Sequence, residues 1–253
     1  MNPIFSIITV VFNGETLIDL TMQSVVNQSF TQYEYIVIDG LSTDKTVQLI
    51  ERYKSKHPLS IQSISEKDAG LYDAMNKGLR MAKGDFVLFL NAGDCLVDAD
   101  VLKHLAAQIT PQTDVLFGET MLVDDTRKHL GTRSEMTVQK LPETLTWQSL
   151  NRGMVVCHQA FLPARRLAPQ YISNNLAADI DWVIKCLQKA DNVVNTHLII
   201  SEYLIGGVSK QRHKQSLKDR YDVLKTHFGF LPNLFNHVGI LMRAFWFKIF
   251  PNF

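Results

Sequence analysis

The chain's hydrophobic positions switch between two periods over its first 95 residues. Ile4 to Val11 is a near-continuous apolar run, the pattern of a strand buried on both faces. Asn13-Gly14 breaks it, and Thr16 to Asn27 then carries Leu17, Leu20, Val25 and Val26 at helical spacing. Tyr35 to Ile38 predicts a second strand, ended by Asp39-Gly40, and Thr43 or Asp44 suits the start of a helix holding Val47, Leu49 and Ile50. A third strand is expected over Ile61 to Ile64. A helix over Ala69 to Ala82 has Leu71, Met75, Leu79 and Met81 near one face, and a fourth strand runs from Phe86 to Leu90. The last strand stops at Asn91-Ala92-Gly93-Asp94.

Strand–helix–strand order with short connections predicts an α/β fold, a mostly parallel sheet flanked by helices. Ligands of such sheets bind at the carboxyl ends of the strands. Asn13, Asp39 and Asp94 occupy those ends, so three polar residues converge on one rim. The pattern thins after residue 95. Val115 to Phe117 reads as a strand and Val123 to Arg133 as a polar loop or hairpin. Residues 154–162 read as a strand with His158-Gln159 in its middle, Ala177 to Lys189 as a helix opening on Asp179 and Asp181, and Asn195 to Tyr203 as a further strand.

Composition adds little until charge is placed along the chain. The protein has 253 residues and a net charge of +1, which argues against a nucleic-acid partner. Yet residues from 210 onward hold eight Lys/Arg against Asp219 and Asp222, so residues 1–209 are mildly acidic. The three cysteines form no CxxC pair, and no signal-peptide pattern opens the chain, which together suggest a cytoplasmic setting. Motifs for a nucleophile-elbow serine, HExxH zinc, dinucleotide or P-loop site are missing from the sequence.

Each candidate residue has a chemical and a plain reading. Asp94 either binds a divalent cation or makes a turn with Gly93. Asp39 either accepts a hydrogen bond from a ligand or ends a strand. Asp44 suits a helix start. Asp68, Asn76 and Lys77 lie in the charged segment EKDAGLYDAMNKG, where Lys77 either meets phosphate or only water. Asp179 and Asp181 are a general base with its neighbour, or first-turn acids complementing a helix dipole. His158 is an acceptor-pocket residue or a core histidine.

Taken in order, SIITVVFN, VIDGLSTDKT, EKDAGLYDAMNKG, KGDFVLFLNAGD, HQAF, AADIDWVIK and GGVS resemble the family 2 glycosyltransferases, inverting enzymes of the GT-A fold. The later motifs look most like the branch that includes colanic-acid and O-antigen glycosyltransferases of bacterial surface polysaccharides. The resemblance implies that Thr9, Val11, Asn13 and Asp39 hold the nucleotide, together with Asp68, Asn76 and Lys77. It implies that Asp94 binds Mg²⁺ or Mn²⁺ as the last Asp of the family's DxD, and that Asp179 is the general base, with Asp181 as the other contender. His158 and Gln159 would shape the acceptor pocket. Two departures stand out: Asn91 replaces the first Asp of the metal motif, and Ala178 replaces the Glu before the base.

The implied partners are a nucleotide-sugar donor, by default a UDP-sugar, and a saccharide or lipid-linked acceptor. Residues 1–209 would form the catalytic domain, with 1–95 its nucleotide-binding half and 96–209 its acceptor-binding half. Residues 210–253 would be a basic amphipathic helical tail. Leu234 to Phe250 carries a helical apolar stripe, which either folds back on the domain, makes a dimer contact, or lies on the inner face of the plasma membrane. The rival classes are a nucleotidyltransferase and a non-catalytic sugar-nucleotide-binding protein.

Overall fold

The computed structural model describes residues 2–57, 60–206 and 213–249, with the side chains of residues 214–240 in the last segment. Gly207 to Ser209, the basic residues Lys210 and Arg212, and the side-chain stripe from Leu241 onward lie outside the described residues. The half expected to bind the nucleotide donor, called the donor half for that expectation, is built from β1 (Phe5–Val11), α1 (Ile18–Val26), β2 (Tyr33–Asp39), α2 (Thr46–Lys56), β3 (Ile61–Ser65), α3 (Leu71–Met81) and β4 (Phe86–Phe89). Its strands form a parallel sheet in the order β3-β2-β1-β4, registered by Val11 opposite Asp39 and Ile8 opposite Phe89. The apolar run of β1 serves two cores, as expected for a strand covered on both faces. Ile8 and Val10 join Ile36, Ile38, Met75 and Leu79 under α3, while Phe5, Ile7 and Val11 join Met22, Val25 and Ile50 under α1 and α2. Gly78 lets α3 approach closely, since a Cβ there would stand 2.4 Å from the Ile8 side chain.

The half expected to bind the acceptor, called the acceptor half likewise, begins with β5 (Cys95–Leu96) and α4 (Val101–Ala106), followed by the hairpin of β6 (Val115–Val123) and β7 (His129–Thr132) and the short α5 (Arg133–Met136). After β8 (Phe161–Pro163) come α6 (Ala178–Leu187) and β9 (Val193–Leu204). These strands make a mixed sheet, β5-β9-β6-β7, with β8 also paired to β6. The expected strand over 154–162 is corrected: His158–Ala160 is a 3₁₀ turn, and the paired strand there is Phe161–Pro163. Trp182 of α6 supplies the physical reason. It is fully buried and takes ring contacts from Phe89 at 5.6 Å, His158 at 5.5 Å, Phe161 at 5.9 Å and Tyr171 at 4.9 Å, which a straight strand could not deliver from both 158 and 161 to the same ring.

The chain continues in two helices, α7 (His213–Phe228) and α8 (Phe230–Ile249), hinged at Gly229 with φ +83°. α7 folds back on the acceptor half. Asp219 accepts from Leu176 N at 2.7 Å, His227 meets Asp181 at 2.8 Å, and Phe228 stacks on Trp147 at 5.3 Å. On α8, Phe230, Leu231, Leu234, Phe235 and Val238 are exposed. Among the described residues no helix is long and apolar enough to cross a membrane.

Candidate active site

Asp39 closes β2 with its side chain buried. One carboxylate oxygen, Oδ2, accepts from Ser42 N at 3.0 Å and Ser65 Oγ at 2.6 Å, while the other, Oδ1, is buried with no partner. A buried polar atom left unsatisfied costs about 1–3 kcal/mol, so an acceptor kept this way is set for a donor from outside the chain. Asn13 holds the facing loop from a left-handed conformation at φ +49°. Its Oδ1 accepts from Thr43 N at 2.8 Å, and its own N–H reaches Ser42 Oγ at 2.7 Å. Gly40 separates Phe12 from Asp68: a Cβ there would lie 3.4 Å from the Phe12 ring and 2.9 Å from an Asp68 carboxylate oxygen. Phe12 is 64% exposed beside this gap, although a large aromatic is normally buried.

Three of the expected nucleotide contacts need correction. Thr9 is fully buried and its hydroxyl donates to Leu90 O at 2.6 Å, so its side chain serves the core under α1. Asn76 is not exposed: its amide clasps the Tyr171 backbone in both directions, at 3.0 and 2.7 Å. Lys77 is enclosed by acids, 2.9 Å from Glu66, 2.5 Å from Asp68 and 3.8 Å from Asp73, so no open charge points at a phosphate. Val11 lines the rim with its carbonyl already accepting from Gly40 N at 2.9 Å.

Asp94 follows a glycine at φ +101° and is buried where the two sheets meet. Gln159 Nε2 donates to one of its oxygens at 2.7 Å, and Leu204 N, at the end of β9, donates to the other at 3.0 Å. Burial pushes the carboxyl up to about 7 despite these donors and nearby Arg127. Arg127 itself bonds Gly93 O at 2.6 Å and pairs with Glu202. Three residues earlier, Asn91 Oδ1 is buried without a partner. This pair offers oxygen donors only, the chemistry that suits Mg²⁺ or Mn²⁺. Among the described residues no three His, Cys, Asp or Glu side chains gather to hold a metal alone, so further ligands would come from a diphosphate and water.

The first-turn acids of α6 part company. Two residues apart on a helix, they face different directions. Asp181 is buried, ion-paired with Lys185 at 2.7 Å and hydrogen-bonded to His227 at 2.8 Å; burial opposes its charge, but these partners hold its carboxyl below the usual value. Its side chain thus fastens α7 and is not free to act as a base, which corrects its candidacy. Asp179 is partly buried, pushed up to about 6 by desolvation against the Ile180 N–H, the Tyr72 hydroxyl and Arg133. His158 is buried in the aromatic cluster, bonded to the Tyr171 hydroxyl at 2.5 Å and pushed down to about 4, so it is neutral and structural. Gln159 is also buried, and its amide is aimed at Asp94.

Tyr203 lies near the end of β9. Its hydroxyl is raised to about 12 by burial, with Asp94, Cys157 and Asp179 all adding to the rise. The two carboxylates therefore lie within electrostatic reach of one phenol, one from each half. Phe12, Arg127, Arg133, Tyr171 and Tyr203 were not singled out by sequence patterns. Only Phe12 had a local signal, an aromatic carried one residue past the end of a buried strand.

With this geometry in place, the comparisons assign a class. The chain belongs to glycosyl transferase family 2, whose model matches residues 6–169. It is 28% identical over 215 residues to a PGL/p-HBAD biosynthesis glycosyltransferase of Mycobacterium tuberculosis, covering 82% of this chain and 79% of that one. A 115-residue stretch, 44% of this chain and 20% of that one, is 35% identical to the poly(ribitol-phosphate) beta-N-acetylglucosaminyltransferase TarS of Staphylococcus aureus. The fold matches S. aureus TarS 1–349 in complex with UDP-GlcNAc at TM-score 0.72 and 23% identity, covering 100% of this chain and 74% of that one. It also matches the mannosyltransferase PcManGT of Pyrobaculum calidifontis in complex with GDP-Man and Mn²⁺ at TM-score 0.68 and 18% identity, covering 97% and 70%. The architecture is thus that of the GT-A glycosyltransferases.

Proposed function

We propose that this glycosyltransferase moves a sugar from a UDP-sugar to a saccharide or lipid-linked saccharide acceptor with inversion, in the synthesis of a bacterial surface polysaccharide. The observation that carries the reading is the rim of the parallel sheet, where Asp39 Oδ1 is buried without a partner and the Asp94 carboxylate is held by Gln159 Nε2 at 2.7 Å and Leu204 N at 3.0 Å. Asp39 Oδ1 would accept from the base or ribose, and Phe12 would cover the base face. Asp94 and Asn91 would hold Mg²⁺ or Mn²⁺, which when bound supplies positive charge against the departing diphosphate. Gln159 keeps the Asp94 carboxylate aimed, and Arg127 fixes the Gly93 carbonyl beside it.

In an inverting transfer the acceptor oxygen bonds to the anomeric carbon as the bond to the diphosphate oxygen breaks. The acceptor's proton goes to a carboxylate, here Asp179. Held at about 6, Asp179 is mostly ionised at neutral pH yet more basic than an ordinary aspartate, as a proton acceptor requires. No protein acid is needed on the leaving side, since the diphosphate departs as an anion, unlike the leaving group in glycoside hydrolysis.

The reading extends to place. A cytoplasmic chain would meet a lipid-linked acceptor at the inner face of the plasma membrane through α8, whose exposed apolar residues sit in a stretch with no acid after Asp222. Flotation with anionic vesicles tests this part: the full chain should float, Leu231→Ser with Phe235→Ser should not, and equal recovery of both in the pellet would refute it. The activity is tested by a panel of UDP-sugars with Mn²⁺ or Mg²⁺. Asp94→Ala should lose metal-dependent UDP release and Asp179→Asn should lose transfer. Full activity in either variant would overturn that residue's role.

A further inference from the structure

Beside the acceptor half lies a group of cations that the scheme above does not use. Arg220 of α7 and Arg152 both border Gly153, and among the described residues neither guanidinium has a hydrogen-bond or ion-pair partner. At Gly153 (φ +106°) a Cβ would stand 3.8 Å from Arg220 Cδ, and Gln139 Nε2 is as close at 3.7 Å. Gly239 of α8 gives the Arg152 guanidinium its seat: a Cβ there would be 3.6 Å from Arg152 Cζ. Gln139 Nε2 donates to Arg152 O at 2.8 Å, tying the two loops together. The Arg220 Nε is buried with no acceptor.

Two arginines at one loop, with no carboxylate bonded to either among the described residues, leave a buried donor unmet at Arg220 Nε, an arrangement that an anion relieves. Arginine forks match phosphate oxygens in particular. The place is suggestive as well as the charge. Asp219, next to Arg220, holds Leu176 three residues before Asp179, and Arg133, which bonds Met154 O and Val155 O at 2.5 and 2.9 Å, carries positive charge from this segment toward Asp179. The donor half contributes none of these residues. Phe235 and Val238, within about a turn of Gly239 on α8, are 73% and 50% exposed, so apolar surface adjoins the cations.

We propose that Arg152 and Arg220 bind the phosphate of a phosphorylated acceptor, such as the diphosphate joining a saccharide to a lipid. The assignment rests on the acceptor side being where Asp179 was placed above. Calorimetric titration with farnesyl diphosphate, inorganic pyrophosphate and farnesol tests it, with Mg²⁺ in excess and UDP filling the donor site. Wild type should bind both phosphates and not farnesol. Arg152→Gln and Arg220→Gln should each weaken phosphate binding by at least about tenfold, with UDP affinity and melting temperature unchanged. Arg220→Lys should recover part of the loss.

Tighter binding of farnesyl diphosphate than of pyrophosphate would support a lipid-borne source. Equal binding, lost equally in the variants, would support a water-soluble phosphorylated acceptor. No phosphate binding by wild type, or the same affinity in all variants, would overturn the site. UDP titrated alone reads the donor site separately, so failure there would count against the glycosyl-donor reading and leave the phosphate result legible.

Discussion

The two halves of this molecule place polar groups by opposite means. In the donor half, strand ends present oxygens that the chain itself leaves unmet, at Asp39 Oδ1 and Asn91 Oδ1. In the acceptor half the polar groups around α6 answer one another, His158 with Tyr171, Gln159 with Asp94 and Asp181 with Lys185 and His227, and the unmet donor at Arg220 Nε lies apart from them on α7. The difference teaches where recognition and rigidity lie. A parallel sheet can leave acceptors open at its rim because its own backbone bonds are complete, whereas the acceptor half needs an internal polar and aromatic framework to hold Asp179 at all.

Breaking the framework should do most damage. Trp182→Ala removes the ring shared by Phe89, His158, Phe161 and Tyr171, and should cost about 3–5 kcal/mol in urea unfolding. Asp179→Asn should lower turnover about 10²–10⁴-fold while leaving UDP binding intact, which steady-state kinetics with paired calorimetry would read. In the donor half the losses should fall on affinity. Asp39→Ala should weaken UDP binding by about 1.5–3 kcal/mol, the worth of a hydrogen bond to a charged group. Phe12→Ala should cost about 1–2 kcal/mol of UDP affinity if the base stacks there, with melting unchanged because the ring is exposed.

The pH dependence sharpens the same contrast with a smaller effect. Asp179, raised to about 6, must be ionised to accept a proton, so turnover should fall as pH drops through about 6. Asp94, raised to about 7, binds a proton in competition with a metal, so metal affinity should rise with pH through about 7. Both carboxyls hold protons more tightly folded than unfolded. Their contribution to the stability of the ligand-free protein should therefore fall as pH rises from about 4 to about 7 and level off above, offset in part by His158, whose lowered value adds stability as pH rises from about 4 to about 6.5. A pH series of melting temperatures checks the sign.

The donor half was legible because its pairing is local in pattern: each strand is a short apolar run followed by a helix that covers it. The rim positions of Asn13, Asp39 and Asp94 followed from strand ends alone. The acceptor half was harder because its partners are remote. β6 pairs with β9, Val115 opposite Val193, and no local period announces a contact of that separation. The turn at His158 reads as strand in sequence because Val155, Val156 and Phe161 are apolar whichever way the backbone runs. Thr9 and Asn76 were drawn to the ligand by position in their motifs, yet the first packs under α1 and the second clasps Tyr171. The separation of Asp179 from Asp181 needed α7, whose His227 lies 46 residues further along the chain.

The central claim is this division, with the donor held by one half and the acceptor's proton taken by the other. Calorimetric titration of UDP with Mn²⁺ into wild type, Asp39→Ala and Asp179→Asn tests it most directly. The account predicts that Asp39→Ala loses most of the affinity and that Asp179→Asn binds as wild type does. Undiminished binding by Asp39→Ala, or a loss confined to Asp179→Asn, would contradict it.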